Sequence, residues 1–179
     1  MKERNGPKDP QGSADLRLVE GGLHRSEEVH GVLVVHGPER RPPFPVEAVV
    51  AEEDTCLVLS TPADAIVSSE HPVRVMTEVH ASSPLQPGSV VVRPGMPLRF
   101  LAVVHDLDQD PTWCEAWVVI VLDQVLQQAE ARGLEALGLP MIGTLHGSLP
   151  AERFLDLLGD ALRRAALHSL RRIWLISGG

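Results

Sequence analysis

Tyrosine is missing from the 179 residues, and cysteine occurs twice, phenylalanine three times and tryptophan three times. Cys56 and Cys114 lack a close ligand spacing such as Cys-x-x-Cys, which gives a thiolate metal site no support. Lysine occurs only at Lys2 and Lys8, and Lys+Arg 16 against Asp+Glu 24 leaves a formal charge of -8. No basic footprint exists to follow a phosphate backbone, so duplex nucleic acid is excluded as an expected partner. The longest strongly apolar run, WVVIVL at 117–122, falls far short of the roughly 20 residues that span a bilayer. The first residues mix both charges with Gly and Pro, which is not the physics of a secretory signal. These features lead us to expect a soluble, cytoplasmic protein without a membrane partner.

What is present suits one domain: 44% of the residues are apolar, enough for a single buried core. Residues 1–22 lack periodicity and are expected to be a tail; 23–179 are expected to form one domain. GVLVVHG (31–37) has the β-branched, aliphatic character of a strand, and the proline-rich PERRPPFP after it must be a loop. VEAVVAE (46–52) and TCLVLS (55–60), joined by Glu53 and Asp54, suggest a hairpin. ADAIVSS (63–69) is apolar enough for a strand buried on both faces. SVVVR (89–93) and RFLAVVHDL (99–107) flank the turn-forming PGMP and suggest two more strands.

The second half alternates long helical patterns with single strands, the mark of crossover connections and a largely parallel or mixed sheet. Asp110 before Pro111 has the chemistry of a helix start. Trp113, Ala116, Trp117, Ile120, Val121, Val125 and Ala129 then recur at helical spacing up to a stop at Gly133. LEALGLPMIG (134–143) is a strand running into a loop. A helix opening at Pro150 places Phe154, Leu157, Leu158, Ala161, Leu162 and Ala165 on one face, and RRIWLIS (171–177) supplies a final strand.

Three segments in this order resemble a macro domain. ADAIVSS is similar to the family strand D-A-I-V-N-A-A-N, PLRFLAVVHDL to the strand ending in I-H, and LGLPMIGTLHGSLP to the loop P-x-[IL]-[GS]-T-G-x-x-G. The resemblance spans residues 63–177. It implies an α/β fold of three layers, α/β/α, with a mixed, largely parallel central sheet, and a cleft for ADP-ribose or a related nucleotide at the strand ends. Backbone N–H groups in such a loop and at a helix N-terminus can hold a diphosphate without any lysine.

The expected ligand-binding residues are Gly143, Thr144, Leu145, His146 and Gly147, with Asp64 and Asp54 the nearest acids to the cleft. Ser68 and His71 stand where the family has asparagines, and no glycine occurs between Ile66 and Gly88. This departure favours a binding module over a hydrolase, so no catalytic residue, cofactor or metal is assigned. Two alternatives remain: an interaction or regulatory protein with a degenerate pocket, and a hydrolase of an ADP-ribosylated or phosphorylated substrate working through Asp106, Asp108 or His146. Asp106, Asp108 and Asp110 offer oxygens at alternate positions, but turns and caps use aspartate in the same way. His30 and His36 would share a face of one extended strand, without a third ligand for zinc. No Gly-x-Ser-x-Gly elbow supports acyl transfer. Trp113, Trp117 and Trp174 are expected in the core, and the oligomeric state is left open.

Overall fold

The computed structural model describes residues 25–59 and 84–177. The expected tail, ADAIVSS, Asp64, Ser68 and His71 lie outside them. In chain order the elements are β1 (Arg25–Val29), β2 (Val32–Pro38), β3 (Ala48–Asp54), β4 (Val90–Arg93), β5 (Leu98–His105), α1 (Glu115–Ala131), β6 (Ala136–Pro140), α2 (Ala151–Arg164) and β7 (Arg172–Ser177). The strands form one sheet in the order β1-β2-β7-β6-β3-β5-β4. The five inner strands run parallel, and β1 and β4 close the edges antiparallel. The mixed, largely parallel α/β sheet expected from the sequence is therefore present.

Steps from β5 to β6 and from β6 to β7 move the same way across the sheet, so right-handed crossovers place α1 and α2 on one face. The two helices pack together there. Their buried stripes, Val118, Val121, Leu122, Val125, Leu126 and Ala129 on α1 and Phe154, Leu157, Leu158, Ala161 and Leu162 on α2, meet Ala48, Val50, Phe100, Ala102 and Val104 of the sheet. Leu101, Val103 and Trp174 are buried as well. Because Leu101 and Val103 alternate with the helix-facing residues of β5, that strand is covered on both faces, as a central parallel strand must be.

Several expectations need correction. The segments 46–52 and 55–60 do not form a hairpin: β3 runs through Asp54 between β5 and β6, parallel to both. The chain then turns because the Asp54 carboxylate accepts N–H bonds from Cys56 (2.6 Å), Val58 (3.1 Å) and Leu59 (3.0 Å). Satisfying those donors locally removes them from a ladder. Helix α1 begins at Glu115 rather than near Asp110, with Cys114 at its N-cap. Residues before it stay with β5, through the His105–Trp113 bridge and the Asp106 N–H bonded to the Thr112 carbonyl. Val121, Val125 and Ala129 are buried as expected, but the N-terminal part of the stripe differs: Val118 is buried, Ala116 and Ile120 are exposed, and Trp113 and Trp117 are only half-buried.

The edge strand β1 went unread. Its sequence RSEEV is charged, as suits an edge that must not recruit other strands, and it joins β2 through His30 (φ 49°) and Gly31 (φ 80°). Two successive positive φ values give the tight turn that matches strand twist. His30 therefore sits in the turn and shares no strand face with His36. His36 lies opposite Arg25. Burial, and then the Arg25 charge, hold its imidazole below the usual 6.5.

Two predictions follow from this packing. Phe154 is fully buried and Leu155 is 37% exposed, so Phe154→Ala should lower stability by about 3–5 kcal/mol and Leu155→Ala by well under that, measured by urea unfolding. Folding favours neutral His36, so the unfolded chain binds its proton more readily. Stability should fall as pH drops below 6.5, and His36→Gln should flatten that part of a pH series of thermal melts.

Candidate functional site

Strands β3 and β6 share a ladder only at Ala48–Leu137 and Val49–Gly138. Beyond these pairs β3 follows β5 as far as Asp54–His105, while β6 follows β7 to Pro140–Ile176. A crevice therefore opens at the C-terminal ends of β3 and β6. The connections leaving them run in opposite directions, to the β4–β5 side from β3 and to β7 from β6. In open α/β sheets this reversal is where ligands bind.

Glutamates tie the two strands together on either side of the split. At the N-terminal end the Glu47 carboxylate accepts the N–H groups of Glu135 (2.6 Å) and Ala136 (3.1 Å). At the C-terminal end Glu52 projects to the helix side, in phase with Ala48 and Val50. Its Oε2 accepts the Gly143 N–H at 2.9 Å, and its Oε1 lies 2.5 Å from His105 Nε2. The Glu52 and His105 side chains are 8% and 2% exposed, so the carboxylate is buried with both oxygens engaged. A register shift between Glu53 and Asp54 sets two residues of β5 against one of β3 there. Such a bulge re-aims side chains at a strand end, and it leaves Glu53 and Asp54 buried beside Glu52.

The loop after β6 holds the other wall. Gly143 has φ +80°, and a Cβ there would come within 3.3 Å of Val118 on α1. Gly147 packs so closely that a Cβ would lie 2.5 Å from the Gly143 carbonyl oxygen and 2.9 Å from the Trp113 ring. Gly143 is thus required by conformation and Gly147 by space. Thr144 turns inward, its hydroxyl and its N–H both donating to the Met141 carbonyl, and the Leu149 N–H closes the loop on Gly143. Leu145 is 78% exposed. His146 is exposed too, its ring edge-to-face with His105 at a centroid distance of 6.1 Å.

Of the expected ligand residues, the structure brings Gly143, Thr144, Leu145, His146 and Gly147 to one side of the crevice. Asp64 lies outside the described residues. Asp54 is present but spends its carboxylate on its own turn. Asp106 does the same, accepting from the Asp108 N–H and the Gln109 side chain. Among the described residues no group of three His, Cys, Asp or Glu is placed to hold a metal ion, and no helix is long and apolar enough to cross a membrane. A groove of about 600 Å³ between β1 and α2 shares none of its lining with the crevice.

Sequence reasoning missed Glu52. One signal was available: EAVVAEED (47–54) follows the acid-Ala-aliphatic-aliphatic opening of D-A-I-V-N-A-A-N as well as ADAIVSS does, and ends on an acid where the motif has asparagine. It is EAVVAEED that holds the position between β5 and β6.

Solved structures with this arrangement were found across most of the chain. A variant of the Oceanobacillus iheyensis macrodomain with ADPR superposes with a TM-score of 0.60 at 15% identity, covering 86% of this chain and 90% of that one. The chain has the macrodomain fold. The same macrodomain with ADP gives 0.60 at 14% identity over 86% and 88%, and the Thermus aquaticus DarG macrodomain gives 0.55 at 20% identity over 75% and 91%. The sequence matches no protein-family model, and no curated protein matches it either. The likeness to macrodomains thus lives in the sheet order and the crossovers, with few shared residues.

The bridge makes a stability prediction. Glu52→Ala would strand the buried Gly143 and His105 donors, at about 1–3 kcal/mol for each unsatisfied group. Thermal melts should show the loss, and hydrogen exchange should speed up selectively at Gly143. Exchange at Gly143 as slow as in the wild type would mean that the bond to Glu52 does not hold the loop.

Proposed function

We propose that this chain is a binding module for ADP-ribose or a related nucleotide, seated in the crevice between β3 and β6 and held by the 143–147 loop. One observation carries the reading. The N–H groups of Leu145, His146, Gly147 and Ser148 donate to no acceptor among the described residues, and they lie just ahead of the N-terminus of α2. Consecutive open amides beside a helix N-terminus favour an anion with no cationic side chain required. This resolves how a chain of net charge -8 would accept a phosphate. The macrodomains with ADPR and with ADP support the choice of ligand.

We read the module as non-hydrolytic. Glu52 and Asp54 have their oxygens committed to His105, Gly143 and the 56–59 turn, so neither is free to activate water. His146 is the exposed titratable group on the loop, and its ring meets His105, which is itself engaged with the Glu52 carboxylate. A second reading, an interaction protein whose pocket has been filled from within, is favoured by the Glu52 carboxylate on the Gly143 N–H.

Calorimetry with ADP-ribose separates the two. Binding is expected, and Leu145→Glu, at an exposed position that leaves the packing intact, should weaken it on the order of 10-fold or more by adding a charge beside the open amides. No binding of ADP-ribose, ADP or AMP would remove the nucleotide reading and leave the interaction protein. Incubation with an ADP-ribosylated protein should release no ADP-ribose; release abolished by His146→Ala would establish a hydrolase.

A further inference from the structure

Glu52 holds the N–H that opens the 143–147 loop, and it does so with a side chain only 8% exposed. One oxygen lies 2.5 Å from His105 Nε2 and the other accepts the Gly143 N–H, so the carboxyl group is held in place from both sides. Both oxygens are already occupied, so Glu52 acts on a ligand as a fixed negative charge and not as a contact. Leu145 is two residues from Gly143, so its N–H lies within about 7 Å of the Gly143 N–H that Glu52 holds, and a phosphoryl oxygen on that amide would lie about 3 Å further out. In a partly buried site, two like charges at such a distance repel by on the order of 10-fold in affinity.

We infer that Glu52 is the specificity-determining residue of the crevice: its carboxylate stands in for a ligand anion at Gly143, keeps phosphate from the inner end, and confines it to the amides of 145–148. The inference rests on the crevice being the nucleotide site proposed above. It also explains how the loop can hold its shape without a ligand, since an internal acceptor satisfies the N–H that a phosphate would otherwise take. Asp54, one bulge further along β3, adds to the field but is turned into its own loop. Glu52 reaches across the split between the strands to Gly143.

The decisive comparison uses the full chain and its Glu52→Gln variant, which removes the charge and keeps a side-chain oxygen for the Gly143 N–H. Calorimetry with ADP-ribose, pyrophosphate and adenosine should show the two phosphate compounds on the order of 10-fold tighter on the variant and adenosine unchanged. Equal or weaker ADP-ribose binding by a variant whose thermal melt shows it folded would make Glu52 a structural bridge only, and overturn the inference while the nucleotide reading stands. Should the variant not fold, an amide NMR titration of the wild type with pyrophosphate decides the point. Shifts are expected at Leu145 to Ser148 with Gly143 nearly still, and a largest shift at Gly143 would overturn the role of Glu52. Failure of both proteins to bind ADP-ribose, with no amide shift at all, would instead remove the nucleotide site and the inference with it.

Discussion

Two strands that lie side by side in the middle of a sheet normally pay no penalty for staying together, because their ladder satisfies both. Here β3 and β6 share two residue pairs and then separate, and carboxylates carry the contact where the ladder does not. Glu47 holds the strands where they are joined; Glu52 holds them where they have parted. The second is the more consequential, since a buried charge is tolerated only where donors are fixed around it. Gly143 and His105 are those donors, and they fix in turn the loop after β6 and the end of β5. Two walls of the candidate site therefore depend on a single side chain.

From that constraint the chemistry of the crevice follows. The loop cannot be redrawn freely, because Gly147 has the Gly143 carbonyl and the Trp113 ring against it, and Thr144 is bonded back to Met141. What the loop leaves without an internal acceptor are the N–H groups of 145–148, and what it exposes are Leu145 and His146. Under the proposed function, an anion would be held toward the α2 end, away from the acidic end of β3.

How much of this was legible in the sequence depends on which physical rule governs each element. Helix α2 was readable except at its end, where Ala165 lies just beyond it, because its stripe has one face and its first turn follows a proline. The loop 143–147 was readable because glycine spacing reports backbone geometry directly. Strand β3 was half readable: its apolar part up to Glu52 announced a strand, but the acidic pair Glu53 and Asp54 suggested a turn, whereas both are buried at the strand's end and Asp54 finds its donors in the residues that follow it. Strand β1 is charged precisely where edge strands are, and composition alone does not separate such a segment from a loop. For α1 the start was misplaced because Asp110 and Pro111 have the local chemistry of a cap, whereas pairing of Trp113 with His105 keeps those residues with β5. Glu52 was missed because it reads as the polar last residue of an apolar strand until its partners, 53 and 91 residues away, are known.

A structure of the chain determined with ADP-ribose tests the central claim most directly. The account predicts the diphosphate on the amides of Leu145 to Ser148, with Glu52 still bonded to Gly143 and His105. A ligand seated in the groove between β1 and α2, or a crevice left empty at saturating ADP-ribose, would contradict it.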